Sequence, residues 1–149
     1  MLDDSQLDYK LIKFPKIVIE AIPHSEHRYS TCGDYIWNED KSILNIKVSD
    51  TNSHYNFLIA VHELIEAYLA ESKGIKEEDI TKFDIEFEKM REQYPVLVGV
   101  DEPGDHEKAC YHIEHHIASI MEKYIADNME INWKDYCDTL DNLSNRVIK

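Results

Sequence analysis

The residues best suited to chemistry lie in the segment His62-Glu63-Leu64-Ile65-Glu66. His62 and Glu66 are four positions apart, so on an α-helix they point the same way, and Glu63 lies about 100° further round. An imidazole and a carboxylate on one helix face can bind a divalent metal, and an adjacent carboxylate can accept a proton from metal-bound water. The pattern H-E-x-x-E is a variant of the H-E-x-x-H zinc helix. It predicts half of a metal centre with Glu63 as general base, and at least one more ligand must come from elsewhere in the chain.

A second group of metal-binding residue types follows about fifty positions later, where four of the eight histidines fall at His106, His112, His115 and His116. On a helix, His112 and His116 form an i,i+4 pair, whereas His115 and Glu122 are seven apart with Ala118 between them. A small residue at position 118 would let another helix approach closely. Periodicity leaves open whether His115 or His116 faces the first helix.

Three segments before the H-E-x-x-E motif predict strands. Residues 16–22 are rich in β-branched residues and stop at Pro23, and residues 43–49 alternate apolar and polar side chains. Between them, residues 29–37 end in a turn-forming cluster. We expect a small antiparallel sheet of about three strands.

The rest of the chain predicts about four helices, which makes the fold class α+β. The first begins at the capping residues 50–53 and ends at Gly74, and the second runs from Glu77 to about Tyr94. The third covers about 109–128 and the fourth about 133–146. By periodicity the third helix should turn its apolar residues inward, namely Cys110, Ile113, Ile117, Ile120, Met121, Tyr124 and Ile125.

Composition limits the classes of partner. The 149 residues predict one domain, with residues 1–15 as a flexible arm. Thirty acidic against sixteen basic residues give a net charge of −14, which excludes nucleic acid as a direct partner.

The three cysteines, an odd number without a C-x-x-C pair, predict reduced thiols in the cytoplasm. No signal peptide and no apolar run of about 18 residues is present, so no membrane association is expected.

The chain resembles a group of small uncharacterised phage and prophage proteins over most of residues 16–137. The resemblance is carried by Ile17-Val18-Ile19-Glu20, Ile22-Pro23-His24, Arg28-Tyr29, Gly33-Asp34-Tyr35, Ile46-Lys47-Val48-Ser49, Val61 to Ala67, Gly74-Ile75, Asp84, Phe87-Glu88, Glu102-Pro103-Gly104-Asp105, His115-x-x-Ala118-x-x-x-Glu122 and Trp133-x-x-Tyr136. It implies a host-cell cytoplasmic location and one cluster made of His62, Glu63, Glu66, His115 and Glu122.

A wider likeness is to zincin-type metallopeptidases, which share the order of strand and metal helix. This chain departs from them because Glu66 stands where the second histidine belongs, and because their short downstream ligand signature is missing. The likeness implies a zincin-like fold and a hydrolase that uses metal-activated water on a peptide or small-molecule substrate.

Residue types and resemblance together predict a metal site of His62, Glu66, His115 and Glu122. Zinc suits two histidines and a glutamate with an open water position, and manganese, iron or nickel also fit the residue types. In an open site Glu63 is the catalytic base, and Tyr29, Tyr111 or His116 could stabilise an oxyanion. In a closed four-ligand site the metal would be structural.

Two other functions remain open from the sequence. An acidic phage-encoded protein could bind or inhibit a host protein through its negative surface, with a structural metal or none. A helical nucleotide pyrophosphohydrolase would use Glu63 and Glu66 as an E-x-x-E magnesium pair. No E-x-x-D pair follows at a suitable distance, and the N-terminal strands are out of place in such a fold.

Overall fold

The structure is a computed structural model that describes residues 9–99 and 101–144. Three strands come first: β1 (Lys16–Ile22), β2 (Gly33–Trp37) and β3 (Ile43–Ser49). Five helices follow: α1 (Ser53–Lys73), α2 (Glu77–Gln93), the short α3 (Pro95–Val98), α4 (His112–Asn128) and α5 (Trp133–Leu143). This order confirms the predicted α+β class.

The sheet has the strand order β1-β3-β2, and its pairing is mixed. β2 and β3 form the expected antiparallel hairpin, but β1 pairs parallel to β3, which corrects the prediction of a wholly antiparallel sheet. Because the hairpin occupies one edge of β3, β1 must take the other edge, where its direction makes the pairing parallel. β3 is therefore the central strand, and it buries Leu44, Ile46 and Val48 on one face.

Helix α1 begins and ends where the sequence predicts. The side chain of Asn52 caps its N-terminus by accepting from the backbone N–H groups of His54 and Tyr55, and Gly74 ends it with a φ of 78°. The helix buries Leu58, Ile59 and Ala60 near its start and Ala67 and Ala70 further on. The helix packs on β2 and β3, and this fixes the direction in which His62 and Glu66 point.

Helix α4 packs along α1 with the opposite face to the predicted one. Its buried residues are Glu114, His115, Ala118, Glu122 and Ala126, and Ala118 and Ala126 are fully buried, as close helix packing requires. Most residues expected to point inward are exposed: Cys110, Ile113, Ile117, Ile120, Met121 and Tyr124. The rotation of α4 about its axis is set by its small residues and by the charged groups that pair with α1. Apolar periodicity takes no account of such pairing, so it predicted the wrong face.

The described part of the predicted N-terminal arm lies against α1 and α4. The backbone N–H of Lys10 donates to the carbonyl of Ser72, and the hydroxyl of Tyr9 lies 3.3 Å from Glu114 Oε1. The rest of the predicted arm, residues 1–8, and the last residues of the predicted fourth helix lie outside the described residues.

Candidate metal centre

Helices α1 and α4 bring four of the predicted site residues together. His62 and Glu66 come from one face of α1, and His115 and Glu122 come from the facing side of α4. All four side chains are buried. His116, the alternative to His115, is exposed and stacks near His112 on the outer side of the same helix.

Three polar atoms converge at the contact between the two helices. Nε2 of His62 lies 3.2 Å from Oε2 of Glu66 and 3.2 Å from Nδ1 of His115. Oε2 of Glu66 and Nδ1 of His115 are 2.9 Å apart. We call this arrangement the His62/Glu66/His115 triangle. Two ligands bound to one tetrahedral zinc are about 3.3 Å apart, since each lies about 2.0–2.1 Å from the ion. The edges of the triangle thus have the dimensions of a zinc ligand set.

The hydrogen bonds of His62 favour a positive charge at this triangle. Its Nδ1 lies 2.8 Å from Oε2 of Glu122 and donates to that carboxylate. Burial alone would lower the pKa of His62, but hydrogen bonds to Glu122 and Glu66 raise it well above the usual value. In a neutral ring, Nε2 would direct a lone pair at the Glu66 carboxylate. A proton on Nε2, or another cation between the three atoms, would remove this repulsion.

The pKa values of Glu63 and Glu66 are shifted in opposite directions, which separates the roles of the two residues. Burial would raise the pKa of Glu66, but hydrogen bonds from His115 and His62 lower it below the usual value. Burial and the charge of Glu66 raise the pKa of Glu63 well above its usual value. Two neighbouring carboxyls whose pKa values diverge suit an ionised group beside one that can exchange protons.

Glu63 is held close to the sheet but has no hydrogen bond or ion pair among the described residues. Gly33, the first residue of β2, makes this approach possible. A Cβ at position 33 would lie 2.5 Å from Oε1 of Glu63 and 2.7 Å from Cγ2 of Ile59. The carboxylate of Glu63 therefore lies in the cavity next to the triangle with its hydrogen-bonding capacity free.

Glu122 supports His62 from behind. One carboxylate oxygen accepts from Nδ1 of His62, and the other accepts a short hydrogen bond from the hydroxyl of Tyr136 on α5. Its two oxygens thus contact groups other than the three atoms of the triangle. A carboxylate that holds the second nitrogen of a metal-binding histidine is a common arrangement around protein metal sites.

The turn at residues 102–105 contributes residues that the sequence reasoning did not assign to the site. Nε2 of buried His115 lies 3.2 Å from Oε2 of Glu102 and 3.4 Å from Oδ1 of Asp105, but neither contact has hydrogen-bonding geometry. His62, Glu102 and His115 offer ligand atoms that all lie within 4.8 Å of one another. The Pro-Gly turn predicted a bend, and only the fold shows that this bend lies over His115.

Asp84 on α2 is a further residue that sequence reasoning did not assign to the site. It accepts hydrogen bonds from the hydroxyls of Tyr29 at 3.1 Å and Tyr111 at 2.5 Å. Burial raises the pKa of Asp84 to about 7. Two of the three proposed oxyanion donors are therefore already bound to a carboxylate, and the third, His116, is exposed.

The triangle opens into a cavity of about 70 Å³. That volume holds a few water molecules or the end of a small group. Seven carboxylates line it and, among the described residues, no lysine or arginine does; the seven are Asp34, Glu63, Glu66, Glu77, Asp84, Glu102 and Glu122. The strongly acidic lining favours cations and uncharged groups over anions.

Comparison of the chain with protein-family models, with curated proteins and with solved structures finds no match in any of the three. None of the helices in the described part of the chain is both long and apolar enough to span a membrane. The functional argument therefore rests on the geometry of the site.

Proposed function

We propose that this chain is a metal-dependent hydrolase in which His62, Glu66 and His115 hold one divalent cation, zinc by preference. The observation that carries the proposal is the convergence of Nε2 of His62, Oε2 of Glu66 and Nδ1 of His115 within 3.2 Å of one another. Manganese, iron and nickel remain alternative metals by residue type. Cys32, Cys110 and Cys137 form no disulfide with one another, which suits a reducing cytoplasm, that of the host cell if the chain is phage-encoded.

The chain's own residues would divide the work around a metal-activated water. When bound, the metal supplies Lewis acidity and lowers the pKa of its water. Glu63 would accept a proton from water as the water oxygen adds to the carbonyl carbon of the substrate. The same carboxyl would then give that proton to the leaving atom as its bond to the carbonyl carbon breaks. Glu122 keeps His62 in the required tautomer throughout.

The free carboxylate of Glu63 favours this open site over a closed structural one. In the closed alternative, Glu122 would be the fourth ligand, but its oxygens bind Nδ1 of His62 and the hydroxyl of Tyr136. The acidic lining of the cavity also disfavours a nucleoside triphosphate, the substrate of a pyrophosphohydrolase. The acidic surface still supports the binding-protein alternative, in which a host protein is the partner.

Metal content after purification without chelators tests the proposal. We expect about one zinc per chain in the wild type and in His116→Ala, and none in His62→Ala or Glu66→Ala, measured by plasma mass spectrometry. His116→Ala is the matched control because it removes an exposed histidine from α4, one position from His115. Equal zinc in all four proteins would refute the metal site.

Glu63→Gln separates catalysis from metal binding. This variant should retain the metal but lose about 10²- to 10⁴-fold in kcat on any amide or ester substrate found by screening, because it removes the proton acceptor. A stable complex with a host protein that withstands both chelator and Glu63→Gln would instead support the binding alternative.

A further inference from the structure

Tyr35 on β2 has a buried hydroxyl without a hydrogen-bond partner among the described residues. Only 5% of the residue is exposed, and it lines the cavity beside the His62/Glu66/His115 triangle. Buried hydroxyls are normally paired, because an unpaired one has lost water without replacing it. In a cavity wall such a hydroxyl is available to whatever enters the cavity, a water molecule or the polar end of a ligand.

The other buried tyrosines of this cavity make the exception more specific. Tyr29 and Tyr111 donate to Asp84, and Tyr136 donates to Glu122. Each of these three hydroxyls is occupied in holding a carboxylate. Among the four, only Tyr35 has a hydroxyl that is free to donate into the cavity.

Charge and size restrict what Tyr35 could bind. A phosphate or carboxylate would enter a space lined by seven acidic side chains. Arg28 pairs with Asp34 and Glu77 from outside the cavity, and His62 pairs with Glu66 and Glu122. No lysine or arginine among the described residues lines the wall itself to bind the anion. An uncharged carbonyl accepts a hydrogen bond without that penalty. A cavity of about 70 Å³ admits the carbonyl end of a substrate and leaves the remainder outside.

We propose that this cavity binds an uncharged amide or ester carbonyl, and that the hydroxyl of Tyr35 donates the hydrogen bond that holds its oxygen. The catalytic part of this inference rests on the proposed hydrolase, whereas the binding part needs only the cavity. During hydrolysis Tyr35 keeps its proton and donates to the carbonyl oxygen as negative charge develops there, so the hydrogen bond becomes stronger.

Thermal unfolding of two tyrosine variants tests whether the hydroxyl is free. Tyr35→Phe removes a hydroxyl without a protein partner, so its melting temperature should equal or exceed that of the wild type. Tyr111→Phe is the matched comparison, because it removes the donor to Asp84 and should melt about 2–6 °C lower. A loss in Tyr35→Phe as large as that in Tyr111→Phe would show a structural partner and overturn the proposal.

Binding of two small carbonyl probes tests the rest. N-methylacetamide is titrated into metal-free protein and acetamide into zinc-loaded protein, both by NMR. Both should bind about tenfold more weakly to Tyr35→Phe, the value of one hydrogen bond. Tyr124→Phe, which alters an exposed tyrosine of α4, should bind within twofold of wild type, and inorganic phosphate should displace neither probe.

The two probes distinguish failure of the inference from failure of the proposed function. One outcome is a wild type that purifies without zinc and still binds N-methylacetamide more tightly than Tyr35→Phe does. That result would support the carbonyl site and refute the metal centre. Zinc retention with equal acetamide affinity in wild type and Tyr35→Phe would support the metal centre and refute the role of Tyr35. Displacement of either probe by phosphate would refute the selection against anions.

Discussion

His62 uses its two ring nitrogens for different partners. Nε2 belongs to the His62/Glu66/His115 triangle, and Nδ1 donates to Glu122, which in turn accepts from Tyr136. The carboxylate therefore determines both the tautomer and the orientation of the ring. The sequence predicted Glu122 as a ligand, and the hydrogen bonds support a role one step removed from the metal.

Glu122→Gln should weaken zinc affinity by about 10- to 100-fold, because it removes the charge that orients His62 while keeping the side-chain size. Affinity can be measured by competition with a chromogenic chelator. Glu107→Gln is the matched control, since Glu107 is exposed outside the cluster and its variant should bind zinc as the wild type does. Complete loss of zinc in Glu122→Gln, as in Glu66→Ala, would restore Glu122 to the set of direct ligands.

At the scale of elements, two glycines let backbone approach the site side chains. Gly33 brings β2 against Glu63, and Gly104 brings the turn at 102–105 against His115.

Arg91 holds the chain before this turn: it pairs with Glu88 on its own helix and donates to the backbone carbonyls of Gly99 and Asp101. The sheet, α2 and the turn thus close the site around the contact between α1 and α4.

Gly104→Ala should disturb His115 and weaken zinc binding. A Cβ at position 104 would lie 2.6 Å from Nδ1 of His115, so either the ring or the turn must move, at a cost of about 1–3 kcal/mol in unfolding free energy. Chemical denaturation and zinc competition would measure both effects.

Gly99→Ala is the control for Gly104→Ala. A Cβ at position 99 meets no atom within 4 Å, although its φ of 65° strains any side chain. It should lose stability without losing zinc affinity. Unchanged zinc affinity in Gly104→Ala would show that the turn does not position His115.

At the scale of the whole molecule, a chain of charge −14 folds with several carboxyls buried at one place. Hydrogen bonds from histidines and tyrosines offset part of the cost of this burial. Asp84 differs from Glu66, because its pKa is raised to about 7 whereas that of Glu66 is lowered. The two groups therefore make the folded state depend on pH in opposite directions.

Asp84 should make the folded state less stable as pH rises. Its folded pKa of about 7 exceeds the unfolded value of 3.8, so the stabilisation it confers is fully present below pH 3.8 and is lost as pH rises through about 7. The difference in melting temperature between wild type and Asp84→Asn isolates this group from the other carboxyls. Wild type should lose stability relative to Asp84→Asn between pH 5 and 8. No change in that difference over this range would show that Asp84 is already ionised in the folded protein at pH 5.

The sequence by itself determined the features that arise within one element. The four-residue spacing of His62 and Glu66 puts them on one helix face in any fold, and Asn52 and Gly74 bound that helix through local hydrogen bonds and backbone conformation. The alternation in residues 43–49 likewise predicts a strand with one buried face, which the structure confirms. These features depend on backbone geometry over a few residues, so a single segment contains the information.

Only the tertiary structure decided which residues from different elements meet. The choice of His115 over His116, the inward polar face of α4 and the parallel pairing of β1 all depend on contacts between segments distant in sequence. The same holds for Asp84 and Glu102, whose local patterns predict only a charged helix face and a turn. Apolar periodicity measures the average hydrophobicity of a face, whereas close packing and paired charges determine which face is buried.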